Sequence, residues 1–314
     1  MKPPRPIAAP VPGDGAPVTL SVIVPFHRGF GQLKQTLRAL RGQTYPRSAF
    51  EIIAINNDPD EVTLPPLQAE FPDVRWLQEE EVGSYCARNR GVAAARGEWL
   101  AFTDSDCVPT PAWLAEGVRM IRDSDCDLFG GRVDYIDPKG RSKNAAEWLE
   151  EEFTLLHKQR WLVENLGVVA TANLFARRSL FERVGGFNPR LMSFGDGDWT
   201  RRAKASGARL GYADTALTLH PRRSRVAELL TKTLRTEGDR INFMRCHGAT
   251  WRMHLVQLWR NSALDPRSYV RAWRAGGEVS LGMRLKIVSL MLYLSGRSTV
   301  EKLRVLLRGK PIRG

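Results

Sequence analysis

Two kinds of run alternate along the first two thirds of the chain. Short, nearly continuous apolar runs, VTLSVIVPF (18–26), FEIIAINND (50–58), Val74 to Leu77 and Trp99 to Thr103, read as strands buried on both faces. Between them, apolar residues recur at helical spacing. This holds in GQLKQTLRALRGQTY, with Leu33, Leu37 and Leu40, and in Ala87 to Ala95, which is closed by Gly97. The alternation predicts an α/β fold, an open and mostly parallel Rossmann-like sheet with helices on both faces. Such sheets bind ligands at the carboxyl ends of their strands. Three predicted strands empty into Pro25-Phe26-His27, Asn56-Asn57-Asp58 and Asp104-Ser105-Asp106 at that edge.

The third of these endings carries the most chemistry. Residues i and i+2 of a strand share a face, so Asp104 and Asp106 are spaced to close on one hard cation. Asp and Ser are also ordinary turn residues, and the shared sheet edge is what favours the cation. A second carboxylate pair, Asp196 and Asp198, stands between glycines in SFGDGDW and precedes the helix-like run WTRRAKASG. Asp198 falls near the helix start, where unpaired N–H groups favour a carboxylate. The stretch AAEWLEEEFTLLHKQRW predicts a helix whose Trp148 and Trp161 are spaced as core or lid residues, and His220 ends the strand-like run ALTLH.

Composition adds a division of charge. The 314 residues are 43% hydrophobic, enough for a sizeable core, and the formal net charge is +13. Residues 1–220 carry 27 Lys+Arg against 28 Asp+Glu, whereas residues 221–314 carry 20 against 6. Positive charge confined to the tail argues against nucleic acid as partner and for anionic lipid headgroups or a phosphorylated acceptor. Cys86, Cys107, Cys126 and Cys246 form no C-x-x-C pair and read as reduced thiols of a cytoplasmic protein. Residues 1–17 are a Pro/Gly-rich, disordered arm without a signal-peptide pattern. The apolar segment Ile287 to Leu294 has eight residues, short of the roughly 20 that span a bilayer. These patterns divide the chain into a domain at 18–223 and a basic helical region at 224–314 whose apolar faces and basic rims suit a membrane surface.

SVIVPFHRG, EIIAINNDPDE, GSYCARNRGVAAARGEWLAFTDSDCVPTPAWL and NLFARRSLFERVGGFNPRLMSFGDGDWTRRAKASGARLGYADTALTLHPRR resemble, in order, the landmarks of the family-two nucleotide-sugar glycosyltransferases with the GT-A fold. The resemblance implies an enzyme that moves a sugar, with inversion, from a nucleoside-diphosphate sugar to a hydroxyl of a glycan or lipid-linked acceptor. It points to bacterial surface polysaccharide or glycolipid assembly, with the protein peripheral at the inner face of the membrane. It makes 18–106 the nucleotide-binding half and 107–223 the acceptor half.

The same resemblance assigns roles. Pro25, Phe26, Asn56, Asn57 and Asp58 fall at the nucleoside, with Asn56 where the family commonly has Asp, which leaves the base open. Arg88 and Asn89 fall beside the nucleotide, Arg88 within reach of a phosphate. Asp104 and Asp106 take the metal positions for Mn²⁺ or Mg²⁺, Asp104 near ribose or metal, and His220 completes the shell. Asn173 falls at the donor sugar, and Gly130-Gly131 at the acceptor. Asp196 becomes the general base, with Gly195 where a Glu is usual. Two other readings stay open here. A metal-dependent nucleotidyltransferase also uses paired aspartates, although no Gly-rich phosphate loop with Lys follows the first strand. A catalytically silent, nucleotide-sugar-binding scaffold at the membrane is consistent with the Asn56 and Gly195 departures.

Overall fold

Leu20–Phe26 and Phe50–Asn56 are buried along their whole length and form two interior strands, β1 and β2, of the sheet of the computed structural model. The structure describes residues 20–58, 64–137, 140–154, 156–250, 252–254, 256, 266–275 and 279–309, so the arm expected at 1–17 lies outside the described residues. Helix α1 (Phe30–Arg41) lays Leu33, Leu37 and Leu40 into the core, each burial being worth roughly 1.5–3 kcal/mol. There follow α2 (Leu64–Glu70), β3 (Val74–Gln78), α3 (Ser84–Ala94), β4 (Trp99–Phe102), β5 (Val108–Pro109), α4 (Trp113–Asp123) and β6 (Leu128–Ile136). Then come α5 (Ala145–Phe153), the single turn α6 (Gln159–Trp161), β7 (Leu174–Arg177), α7 (Arg178–Val184), α8 (Gly195–Ala205) and β8 (Leu210–Pro221). Three helices close the described chain: α9 (Val226–Cys246), α10 (Pro266–Ala275) and α11 (Leu281–Arg308).

The sheet order is β3-β2-β1-β4-β7-β6-β8-β5. β1 runs parallel to β2 and β4, and β2 to β3, as the apolar runs predict. The second half changes strand direction: β7 is antiparallel to β4 and β6, and β5 to β8. β1, β2 and β4 therefore deliver their polar endings to one edge.

Two expected helices differ. α3 begins at Ser84, three residues ahead of Ala87, which places Tyr85 and Arg88 one turn apart on the same helix. The helix expected through Trp148 and Trp161 breaks at Thr154, whose φ of −91° and ψ of 133° are extended. Its first part belongs elsewhere in the fold.

The chain forms two compact units. The sheet unit contains the described residues up to Tyr135, with Leu156–Arg190 and Gly195–Pro221. The helical unit gathers the described residues of 136–155, 191–194 and 222–314, so two segments expected in the acceptor half group with the tail. Packing explains why. Ala146 and Leu149 of α5 are buried with Leu229, Ala272, Ile287, Met291 and Leu294, and Trp148, partly buried, packs against that cluster. Asp239, fully buried on α9, accepts the N–H groups of Met192 and Ser193 at 2.9 and 2.7 Å.

Candidate active site

The Asp104–Asp106 turn follows β4 and is held from beneath. Thr36 Oγ1 on α1 lies 2.8 and 2.7 Å from the carbonyls of Ser105 and Cys107, and the Cys107 N–H donates to the Asp104 carbonyl at 3.1 Å. Register brings in the histidine. β5 pairs Val108 with Leu219 and Pro109 with Thr218, and one step further along the same register Cys107 faces His220. His220 Nε2 stands 3.6 Å from Asp106 Oδ2.

The second carboxylate site lies in the first turn of α8. Asp196 accepts hydrogen bonds from the Tyr85 hydroxyl at 3.2 Å, the Gly197 N–H at 2.9 Å and the Thr171 N–H at 3.3 Å. Burial pushes its carboxyl above the usual range, against the pull of those donors and of the Arg88 charge. Tyr85 stays a neutral donor, since burial and then the Asp196 charge push its phenol well up.

Arg88 connects the two sites. Its guanidinium pairs with Asp104 on one side and lies 5.5 Å from the Tyr85 ring centroid, while Tyr85 holds Asp196. Asp104 and Asp196, 92 residues apart in sequence, are thus linked through two side chains within the sheet unit. Arg88 Nε is buried without a hydrogen-bond partner, a donor left over for an anionic group.

Asp106, Cys107 and His220 place one ligand atom each within 4.8 Å of one another. Burial, then Asp106 and Asp104, push the Cys107 thiol well up, so it stays neutral and offers little to a hard cation. Asp106 and His220 remain as donors, one carboxylate oxygen and one imidazole nitrogen. His220 Nδ1 is buried without a hydrogen-bond partner, so no neighbouring group fixes which ring nitrogen carries the proton. This donor pair fits a divalent ion. Asp104, paired with Arg88, is not in the cluster.

Several expected ligand contacts are instead spent inside the protein. Asn173 is fully buried; it donates to the carbonyls of Arg132 and Ala216 and accepts from the Trp113 indole at 2.9 Å, bonds that tie the strand framework together. Asn89 donates to the Phe187 carbonyl and accepts its N–H, both at 2.8 Å, fixing the Gly185-Gly186-Phe187 turn. A Cβ at Gly186 would stand 2.5 Å from Asn89 Oδ1. Asn56 donates to Gln78 Oε1 and the Asp58 carbonyl and accepts the Asp58 N–H; Asn57 bonds Glu79, Glu81 and Gly83. Phe26 packs edge-on against Phe30 and Trp76, with Pro25 buried before it, and Asp58 accepts from Arg28 Nε at 2.8 Å. These five residues shape the strand-end wall by holding it together. Asp198 is structural, as its place at the helix start suggests. It pairs at 3.1 Å with Arg202, which also donates to the Gly186 carbonyl at 2.6 Å.

Sequence reasoning gave Tyr85 no role and read Cys107 only as a reduced thiol. Only the three-residue step from Tyr85 to Arg88 signals the tyrosine. Tyr85 also explains Gly195: a Cβ there would sit 2.6 Å from the Tyr85 ring, so the position admits no side chain. Gly195→Ala should destabilise the chain by about 1–3 kcal/mol, read as a lowered Tm, and Tyr85→Leu in the same chain should recover part of the loss.

A family model described as glycosyl transferase family 2 matches residues 21–185. Glycosyltransferase AglE of Haloferax volcanii is 33% identical over 249 residues, 78% of each chain. Among solved structures, the mannosyltransferase PcManGT from Pyrobaculum calidifontis, in complex with GDP-Man and Mn²⁺, aligns with a TM-score of 0.59 at 18% identity, covering 96% of this chain and 92% of its own. Residues 1–349 of S. aureus TarS in complex with UDP-GlcNAc align with a TM-score of 0.53 at 18% identity, over 93% of each. The two structural likenesses are ones of fold.

Proposed function

The chain belongs to glycosyl transferase family 2 and is a nucleotide-sugar glycosyltransferase, and on that premise we propose that it transfers the sugar with inversion, using Asp196 as base, to a hydroxyl of a glycan or lipid-linked acceptor. One observation carries the reading: Arg88 pairs with Asp104 and lies against the Tyr85 ring, and Tyr85 donates to Asp196, so two side chains link the two carboxylates. Asp196 takes the proton of the attacking hydroxyl, and attack from the face opposite the leaving nucleotide inverts the anomeric centre. Tyr85 and two backbone N–H groups hold the carboxylate in place for that transfer.

Asp106 and His220 would hold the divalent ion, which when bound supplies Lewis-acid stabilisation of charge on the departing diphosphate. The imidazole in the donor set favours Mn²⁺ over Mg²⁺, which prefers an all-oxygen shell. Arg88, with its spare Nε donor, turns to the diphosphate when Asp104 engages ribose. UDP-Glc, UDP-GlcNAc and GDP-Man, each incubated with the chain, Mn²⁺ and simple acceptors, test the reading. Free nucleoside diphosphate is the expected product. Pyrophosphate would point to nucleotidyl transfer, and binding without any product to a silent scaffold.

A further inference from the structure

We infer that one face of α11 docks on an anionic lipid surface. The helix has two apolar faces. Ile287, Met291, Leu294 and Val305 are buried, three of them in the cluster of the helical unit. On another face Leu281, Leu285, Leu292, Val300, Leu303 and Leu307 are exposed, Leu285 by 54% and Leu307 by 84%. At 3.6 residues per turn these six fall within about 100° of arc and run about 40 Å along the axis. A soluble helix needs one apolar stripe to pack against its own domain, and the second stripe exceeds what scattered surface leucines provide.

Charge selects the occupant. Lys286 and Arg297, both exposed, border the apolar stripe on one side. The single carboxylate of the helix, Glu301, is buried and accepts both Arg304 donors at 2.7 Å. Every exposed ion of α11 is therefore cationic, within a region that carries 20 Lys+Arg against 6 Asp+Glu. A second copy of the chain would set like charges against each other across a shared stripe. Anionic headgroups complement the rim, while leucines reach the acyl boundary. Among the described residues no helix is long and apolar enough to cross a membrane, so the contact is one of lying on the surface. The inference rests on α11 alone and is independent of the transferase reading.

Co-sedimentation of the full chain with vesicles tests it, using phosphatidylcholine alone and phosphatidylcholine mixed with phosphatidylglycerol. The wild-type chain should sediment with the mixed vesicles and stay in solution with the neutral ones. Lys286→Ala with Arg297→Ala should weaken binding by about tenfold or more, and Leu292→Asp with Leu303→Asp should abolish it. All four positions are exposed, so an unchanged melting temperature will confirm that the variants fold. Equal binding by the aspartate variant, or no binding by the wild type, overturns the inference. A wild-type dimer in sedimentation velocity that the aspartate variant dissociates would assign the stripe to a second copy instead. Nucleotide release measured without vesicles should be the same in all these chains, which separates this failure from failure of the enzymatic assignment.

Discussion

Asp196→Asn lowers kcat by roughly 10²–10⁴-fold, the range that a positioned general base supplies, while nucleotide affinity stays within a few fold of wild type. The amide keeps the shape of the carboxylate and accepts from Gly197 or Thr171 as before, but it takes no proton. Release of nucleoside diphosphate gives kcat, and calorimetric titration with the nucleotide gives affinity. Near-normal turnover would remove Asp196 from the mechanism. The wild-type pH profile carries a second signature. Because burial raises the folded-state pKa of Asp196, its carboxylate forms only above the ordinary carboxylate range. The acid limb of kcat should therefore lie at higher pH than an exposed aspartate would place it.

Stability has the opposite pH sense. A carboxyl whose folded pKa is raised binds its proton more tightly in the native chain, so its contribution is intact below the unfolded value. It is lost as pH rises through the folded pKa. The asparagine variant lacks that loss. Its Tm relative to wild type should accordingly be higher at neutral pH than at pH values below the unfolded aspartate pKa, even though the variant is inactive.

How much of this was legible in the sequence depends on the kind of information each residue carries. Nearly continuous apolar runs announced β1, β2 and β4, and polar residues at their ends announced the ligand edge. The Asp104–Asp106 spacing and the strand-end position of His220 were visible, but not that His220 would stand opposite Cys107. That depends on the pairing register of β5 with β8, strands about 110 residues apart. Asparagines were the least legible. Asn56, Asn89 and Asn173 look like ligand contacts in a motif, yet an amide that can pair with a base edge can equally close a turn or bond a carbonyl. Which of these occurs is set by neighbours far off in sequence, Gln78, Phe187 and Ala216 among them. The same is true of α5. Its helical pattern was plain, but periodicity does not say which unit a helix joins; the burial of Leu149 beside Leu229 and Met291 does.

Asp106→Ala abolishes the metal-dependent part of nucleotide affinity and lowers turnover by at least about 10²-fold, since a bound cation contributes several kcal/mol of charge stabilisation and each 1.36 kcal/mol is tenfold in rate. The comparison that gives the experiment its force is with Asp104→Ala. A motif alone treats the two aspartates as equivalent metal ligands, but here Asp104 is engaged by Arg88 and only Asp106 shares a ligand cluster with His220. Titration of Mn²⁺ against nucleotide binding should therefore show metal dependence lost in Asp106→Ala. It should survive in Asp104→Ala, where freed Arg88 strengthens phosphate contact and the loss falls on kcat. His220→Ala supplies the third arm. Without its imidazole the donor set is all oxygen, so the ratio of activity with Mn²⁺ to activity with Mg²⁺ should fall toward unity. Equal loss of metal dependence in both aspartate variants, with no change of metal preference in the histidine variant, would return Asp104 to the metal and remove His220 from it.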